Sequence, residues 1–562
     1  MADPEFPGPS ASASWRRDLI WLLLAFGFLF GFRLGTYPLA NPDEGRYAEI
    51  PREMVATGDW ITPRLDGVKY FEKPPLLYWA VALCYQVLGR SEWSMRAMPA
   101  LFGLAGVAMT YAAARRMYGR ETGLAAAIVL GTSLMWFALS RLLVLDMAVS
   151  VLMSATLFCF ILAVREPPGA RRRWLFYGVY AGAALATLTK GLIGVLVTGA
   201  VMFLWLLICG QWKRLRPLHL PSGAALFLAI AAPWHVLAAL RNPDWARFYF
   251  IHEHWERFTT TTHGREEPFW YFAPILLLGL FPWTGFLWAA LQDMLRGGWR
   301  ARRENADAWF FAIWAGFIFL FFSKSQSKLA PYLLPVFPAL AVPIGAVLVR
   351  AIQQRGLPRL GLRVFAFACG LIAVASAVAV FKPGVIRGAA EAAAFRPLGV
   401  AMAAILIVGG VLAPWLGRVR GTRPALAAVA GTAGLFLLTL TFGDLYHLPR
   451  DSTRPLAEIV RAQAGPDDRI YHYGEFFHDF VYYVERPVGT VDYEGELMFG
   501  IRAEPHGDRF IDKPAFRALW AGPSRVFALA RKKDVTELFA DPAFHYRLLG
   551  ETRHHFLFSN HP

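Results

Sequence analysis

Long apolar runs, about thirteen of them and most near 20 residues, leave this chain few ways to fold. A run of that length crosses a hydrocarbon core as one helix, and lipid tolerates only structures that satisfy their own backbone hydrogen bonds. The spans are expected near 19–35, 95–115, 122–140, 147–164, 174–189, 191–209, 223–240, 269–291, 307–322, 330–349, 364–381, 397–416 and 424–442. With 56% hydrophobic and only 17% charged residues, a soluble globular protein is excluded. The net charge of +16 is not a nucleic-acid signature, because the basic residues cluster in "WRRD", "ARRMYGR", "REPPGARRRW", "QWKRLR", "RGGWRARRE", "VRAIQQRGLPRLGLR" and "GRVRGTR". These clusters fall on every second connection, the positive-inside pattern. It predicts a cytoplasmic amino terminus and, after an odd number of spans, a carboxyl terminus outside. The four cysteines all lie in apolar segments without zinc spacing and read as small buried hydrophobes.

Three outward segments interrupt the pattern. The first outer loop, 36–94, contains "PPLLYWAVALCYQVLG", which is short for a span and suits a helix lying in the interface. A second outer loop, 241–268, is rich in His, Arg and aromatics. From 447 to 562 the composition turns soluble, with strands such as "RIYHY" and "RVFALA" alternating with helices such as "KKDVTELFA". The expected architecture is an α-helical polytopic membrane protein of about thirteen transmembrane helices, 1–446. Interfacial helices lie in its first outer loop, and a small extracytoplasmic α/β domain, 447–562, follows.

The stretch "NPDEGRYAEI", Asn41 to Ile50, opens the first outer loop. Asn41 suits an N-cap, Pro42 the first helical position, and Asp43 and Glu44 the positive end of the helix dipole. Asp43, Arg46 and Tyr47, at i, i+3 and i+4, share one face, so the same residues also make a charged surface for a reagent. The local motif leaves both readings open. Further acids and bases stand at other outward turns: Tyr70, Glu72 and Lys73 in "KYFEKPP", and Arg141 and Asp146 in "SRLLVLDMAVS". Lys190 lies in "TLTKGLIG", His252, His254 and Arg257 in the 241–268 loop, and Lys328 and Tyr332 in "SKLAPYLLPVFPAL". Bland readings exist for each: an Arg141–Asp146 ion pair trimming two helix ends, a snorkelling Lys190 without polar escort, a solvated loop. Five such turns on one side, unmatched on the other, argue for one shared site.

Together "NPDEGRYAEI", "YFEKPPLLYW", "TKGLIG", "IHEHWERF" ahead of "PFWYF", and "SKLAPYLLPVFPALA" resemble the bacterial aminoarabinose transferases. More distantly the chain is similar to the protein O-mannosyltransferases and other GT-C glycosyltransferases. The resemblance covers most of the membrane region, is most specific over the first 75 residues and from Lys328 to Ala341, and is weak over the last 120. It implies transfer of 4-amino-4-deoxy-L-arabinose from undecaprenyl phosphate to a lipid A phosphate at the periplasmic face of the bacterial inner membrane. That modification contributes to resistance against cationic, polymyxin-type peptides. The partners would be the polyprenyl-linked donor, lipid A and membrane lipids.

On that chemistry Lys73, Lys190, Arg257 and Tyr332 supply charge-assisted bonds to the donor phosphate as its charge grows. Arg46, Tyr70, Glu72 and Lys328 join them in binding. Asp43, with Tyr47 beside it, would position the sugar, pair with its ammonium or face positive charge at the anomeric carbon, and Asp146 would assist. A phosphate acceptor is already mostly ionised and needs no general base. No cofactor is required; a divalent metal between Glu72 and His252 is a secondary candidate. No Walker or dinucleotide motif is present. Two rivals stand: a related glycosyltransferase acting on protein hydroxyls or another glycolipid, and a transporter. The latter should carry midplane charges and repeated halves, which are not evident here.

Overall fold

The computed structural model describes residues 12–249, 267–382, 389–443 and 452–561. His252, His254 and Arg257 lie outside the described residues. The described chain divides into two compact units.

One unit comprises the described parts of 1–33, 99–233 and 256–442 and is almost wholly helical. Helices underlie all thirteen apolar stretches. Among the described residues eight helices are long and apolar enough to cross a membrane, nine if one bent pair is a single span. The chain is a multi-pass membrane protein. Helix Arg359–Phe381 illustrates the physics: Phe365, Cys369, Ala373 and Val380 are buried, while Phe367, Leu371, Val374 and Phe381 form an exposed apolar stripe at helical spacing. Such a stripe is stable facing lipid and costly facing water.

Two stretches depart from single straight spans. The 269–291 run breaks into Phe272–Gly279 and Trp283–Met294, bent by 105°. Pro282 stands at the break, where a missing N–H interrupts the helical ladder. The 122–140 run divides into Arg120–Gly131 and Leu134–Leu139 at Thr132 and Ser133. Both hydroxyls donate to backbone carbonyls four residues back, which competes with the regular ladder.

The other unit gathers 34–98, 234–249 and the tail from 452. Its tail carries a six-stranded sheet. Phe510–Ile511, Gly489–Val491, Arg469–Tyr473 and Val526–Arg531 run parallel in that order, followed by antiparallel His555–Ser559 and Arg547–Glu551. The predicted strand "RIYHY" is Arg469–Tyr473, and "RVFALA" is shifted by one residue to Val526–Arg531. Tyr471, Val491, Phe516, Trp520 and Phe558 fill the core under this sheet. The stretch 36–94 contributes helix Asp43–Thr57, the small hairpin Arg64–Leu65/Val68–Lys69, and the short apolar helix Leu76–Leu88.

Polar side chains bind the loop to the tail within this unit. The buried Asp66 carboxylate accepts from the Val488 N–H at 2.9 Å and from Arg509 at 2.7 Å. Arg64 and Lys69 both meet Glu504 at 2.8 Å. Backbones approach closely at Gly45 and Gly500: a Cβ at Gly45 would stand 2.5 Å from the Asp479 nitrogen, and one at Gly500 2.3 Å from the Lys69 carbonyl oxygen.

Candidate active site

Helix Asp43–Thr57 begins where the dipole favours its two acids, but they have diverged in role. Glu44 is buried and grips Arg96 with both oxygens, at 2.8 and 2.6 Å. It also accepts the Ala40 N–H at 3.0 Å. Arg96 is itself buried and donates to the carbonyls of Leu34, Tyr37 and Pro38. Glu44 is therefore a structural lock. Asn41 does not cap the helix as expected: Pro42 holds the N-cap position and no side chain caps it. The Asn41 amide instead exchanges hydrogen bonds with Asp479, donating to its carboxylate and accepting its N–H.

Asp43 faces the other way, with half of its side chain exposed. Arg46 Nη1 reaches its Oδ1 at 3.1 Å, and the guanidinium lies 5.8 Å from the Tyr47 ring centre, so the predicted shared face exists. Tyr70 is buried, and burial pushes its phenol well above the ordinary value, which keeps it a donor. Lys73 Nζ donates to the Glu72 carbonyl at 2.7 Å and stands 4.0 Å from the Glu72 carboxylate. A metal at Glu72 would thus share its ligand with an ammonium, and its second expected ligand, His252, is outside the described residues. Among the described residues no group of three or more metal-ligating side chains occurs.

Two tail residues complete this group. Glu496 accepts from Arg46 Nη2 at 2.8 Å and from the Tyr70 hydroxyl at 3.2 Å, and its other oxygen meets His478 Nε2. Burial works to raise the Glu496 carboxyl, but His478 and Arg46 together hold it down at about 2. Sequence reasoning missed both residues. Neither "FFHDF" nor "YEGEL" carries a local signal: Glu496 meets Arg46 and Tyr70 from more than 400 residues away, and His478 enters the group through Glu496, 18 residues on. Arg46 Nε and the Tyr78 hydroxyl, both buried, have no hydrogen-bond partner among the described residues. Buried donors without a protein partner, beside a half-exposed carboxylate, suit a polar ligand.

The helical unit holds a second group. Asp146 lies in the first turn of helix Leu145–Arg165, and Lys190 ends helix Ala170–Lys190, each where the dipole favours its charge. Lys190 Nζ meets Asp146 Oδ1 at 2.5 Å and stands 4.5 Å from the centre of the Tyr332 ring. The lysine expected to lack polar escort therefore has one. Arg141 donates to the Phe30 carbonyl at 2.7 Å. Lys328, nearly buried, donates to the Glu267 carbonyl at 2.7 Å.

Residues 72–236 match the family model described as dolichyl-phosphate-mannose-protein mannosyltransferase, and 456–560 match that of the aminoarabinose transferase C-terminal domain. An undecaprenyl phosphate-alpha-4-amino-4-deoxy-L-arabinose arabinosyl transferase of Pectobacterium carotovorum is 30% identical over 90% of each chain. This chain belongs to the aminoarabinose transferase family. Another such transferase, from Aeromonas salmonicida, is 34% identical, but the match spans only 60% of that relative's length and 59% of this chain. The crystal structure of ArnT from Cupriavidus metallidurans bound to undecaprenyl phosphate superposes with a TM-score of 0.85 at 30% identity, covering 96% of this chain and 97% of that one. The aminoarabinose transferase match includes the tail, where the motif resemblance was weakest, and the fold is the GT-C fold.

Proposed function

We propose that this aminoarabinose transferase homologue moves 4-amino-4-deoxy-L-arabinose from undecaprenyl phosphate to a lipid A phosphate. The observation that carries the reading is the near-complete likeness to a transferase crystallised with undecaprenyl phosphate. Transfer takes place on the periplasmic side of the bacterial inner membrane, with the amino terminus in the cytoplasm. It renders the outer surface less anionic and so contributes to resistance against cationic peptides. The alternating basic loops support this orientation.

In the proposed step an acceptor phosphate oxygen attacks the anomeric carbon. The bond from that carbon to the donor phosphate oxygen breaks, and undecaprenyl phosphate leaves with the electron pair and inversion at carbon. Cations stabilise the leaving phosphate, the role assigned to Lys73, Lys190 and Arg257, with Tyr332 and Lys328 as further donors. Asp43 faces the positive charge that develops on the sugar or pairs with its ammonium, and Asp146 orients Lys190. No base is needed, because a phosphate with a second pKa near 6 is already mostly ionised, and the step uses no cofactor. Mass spectrometry of lipid A from cells lacking their own transferase, with and without this gene, tests the reading; an unchanged lipid A mass overturns it. The mannosyltransferase match over 72–236 favours one second reading, a hydroxyl acceptor. That reaction needs a general base, and its rate would rise steeply above about pH 7.

A further inference from the structure

Glu496 lies in the short turn Gly495–Leu497 of the tail, and three donors from three different segments converge on it: Arg46, Tyr70 and His478. Its side chain is only 13% exposed. Arg46 makes one contact with each of two acids, Nη1 to Asp43 and Nη2 to Glu496. A guanidinium is a planar fork that closes readily on a single carboxylate with two parallel bonds. With Nη2 taken by Glu496, that closure on Asp43 is blocked. Among the described residues no hydrogen bond reaches Asp43 Oδ2, and the side chain is half exposed. Were Glu496 absent, Arg46 would swing onto Asp43 and neutralise the charge the sugar needs.

We propose that Glu496 is a positioning residue for the transfer, holding Arg46 in a split contact so that one oxygen of Asp43 stays available to the donor sugar. His478 and Tyr70 keep the Glu496 carboxylate aimed at Arg46. The tail thereby takes part in turnover through a side chain that touches neither the sugar nor the phosphate. The inference rests on the reading that Asp43 faces the sugar.

The test is a double-mutant cycle on the full chain in nanodiscs, with undecaprenyl-phosphate aminoarabinose as donor and lipid A as acceptor. Glu496→Gln, nearly isosteric, should lower kcat at least 30-fold while the donor KM stays within threefold. In an Asp43→Asn background the same change should alter kcat less than threefold, because there is no longer a carboxylate to keep clear. A purely structural role would reduce activity equally in both backgrounds. Should Glu496→Gln lose its cooperative melt, Glu496→Asp carries the cycle, with at least a tenfold loss that again vanishes beside Asp43→Asn. A loss that persists in the Asp43→Asn background, or falls on KM alone, overturns the proposal. Normal turnover in Glu496→Gln while Asp43→Asn is impaired overturns it too and leaves the reading of Asp43 standing. Normal turnover in Asp43→Asn removes that reading and the proposal with it.

Discussion

Asp43 and Glu44 are adjacent acids in one motif, and neutralising each by its amide should have opposite consequences. Glu44→Gln removes the ionic partner of a guanidinium that is itself buried, and turns an amide NH2 toward a donor. Removing one member of a buried ion pair costs roughly 3–5 kcal/mol. The three carbonyls that Arg96 keeps place this case near the lower end. For a unit of about 200 residues each kcal/mol moves Tm by 2–4 °C, so the fall is roughly 6–12 °C. Asp43→Asn loses one half-exposed contact to Arg46 and costs under about 1 kcal/mol. Its turnover should nevertheless drop about 100- to 1,000-fold, the scale of a lost preorganised electrostatic partner. Buried Cys84 lies in the same unit and reports its melting as thiol labelling against temperature, read by mass spectrometry. Sugar transfer to lipid A is measured on the same samples. A Glu44→Gln protein that melts like its parent, or an Asp43→Asn protein with normal turnover, would refute the division of labour.

Lys190→Met should weaken binding of undecaprenyl phosphate to the purified protein about 10- to 100-fold, the scale of one lost charged hydrogen bond; unchanged affinity would leave the lysine as a partner of Asp146 and nothing more. Gly45→Ala should destabilise the unit by about 1–3 kcal/mol, because its Cβ would meet the backbone of His478 and Asp479; an unshifted melt would mean that the contact yields freely. Burial, partly offset by Arg509, pushes Asp66 from 3.8 up to about 7, so the folded unit holds a proton that the unfolded chain releases. Stability should therefore fall as pH rises from about 4 through 7, by at most roughly 4 kcal/mol from this residue. Asp66→Asn should flatten that slope between pH 5 and 8, where Glu496 and Glu504, each held at about 2, stay ionised. An equal slope in both proteins would exclude Asp66 as its source.

The helices were legible because apolar runs near 20 residues admit one structure in lipid. The Asp43–Arg46–Tyr47 face was legible because i, i+3, i+4 spacing is local. Pairings between distant segments were not. Asn41 has the side chain of a helix cap, and only Asp479, 438 residues away, explains why it does not act as one. Asp146 and Lys190 could each be placed at an outward turn, yet nothing in either turn says that they meet. Glu496 stands in a soluble-looking tail, and nothing in the composition there singles it out as a site residue. The 105° bend at Phe272–Met294 was legible in principle from Pro282, but the run around it is apolar enough to read as one span.

The buried Asp66 of the 36–94 stretch has a consequence in time. Asp66 is made early, and its partners Val488 and Arg509 are made more than 420 residues later. At translation rates of about 5–20 residues per second, the loop waits tens of seconds or longer for its counter-charge. During that interval Asp66 must remain hydrated, so the loop cannot close over it. A late segment thus seals an early one, and a chain that stops short of Val488 would leave the Asp66 carboxylate without either of these partners.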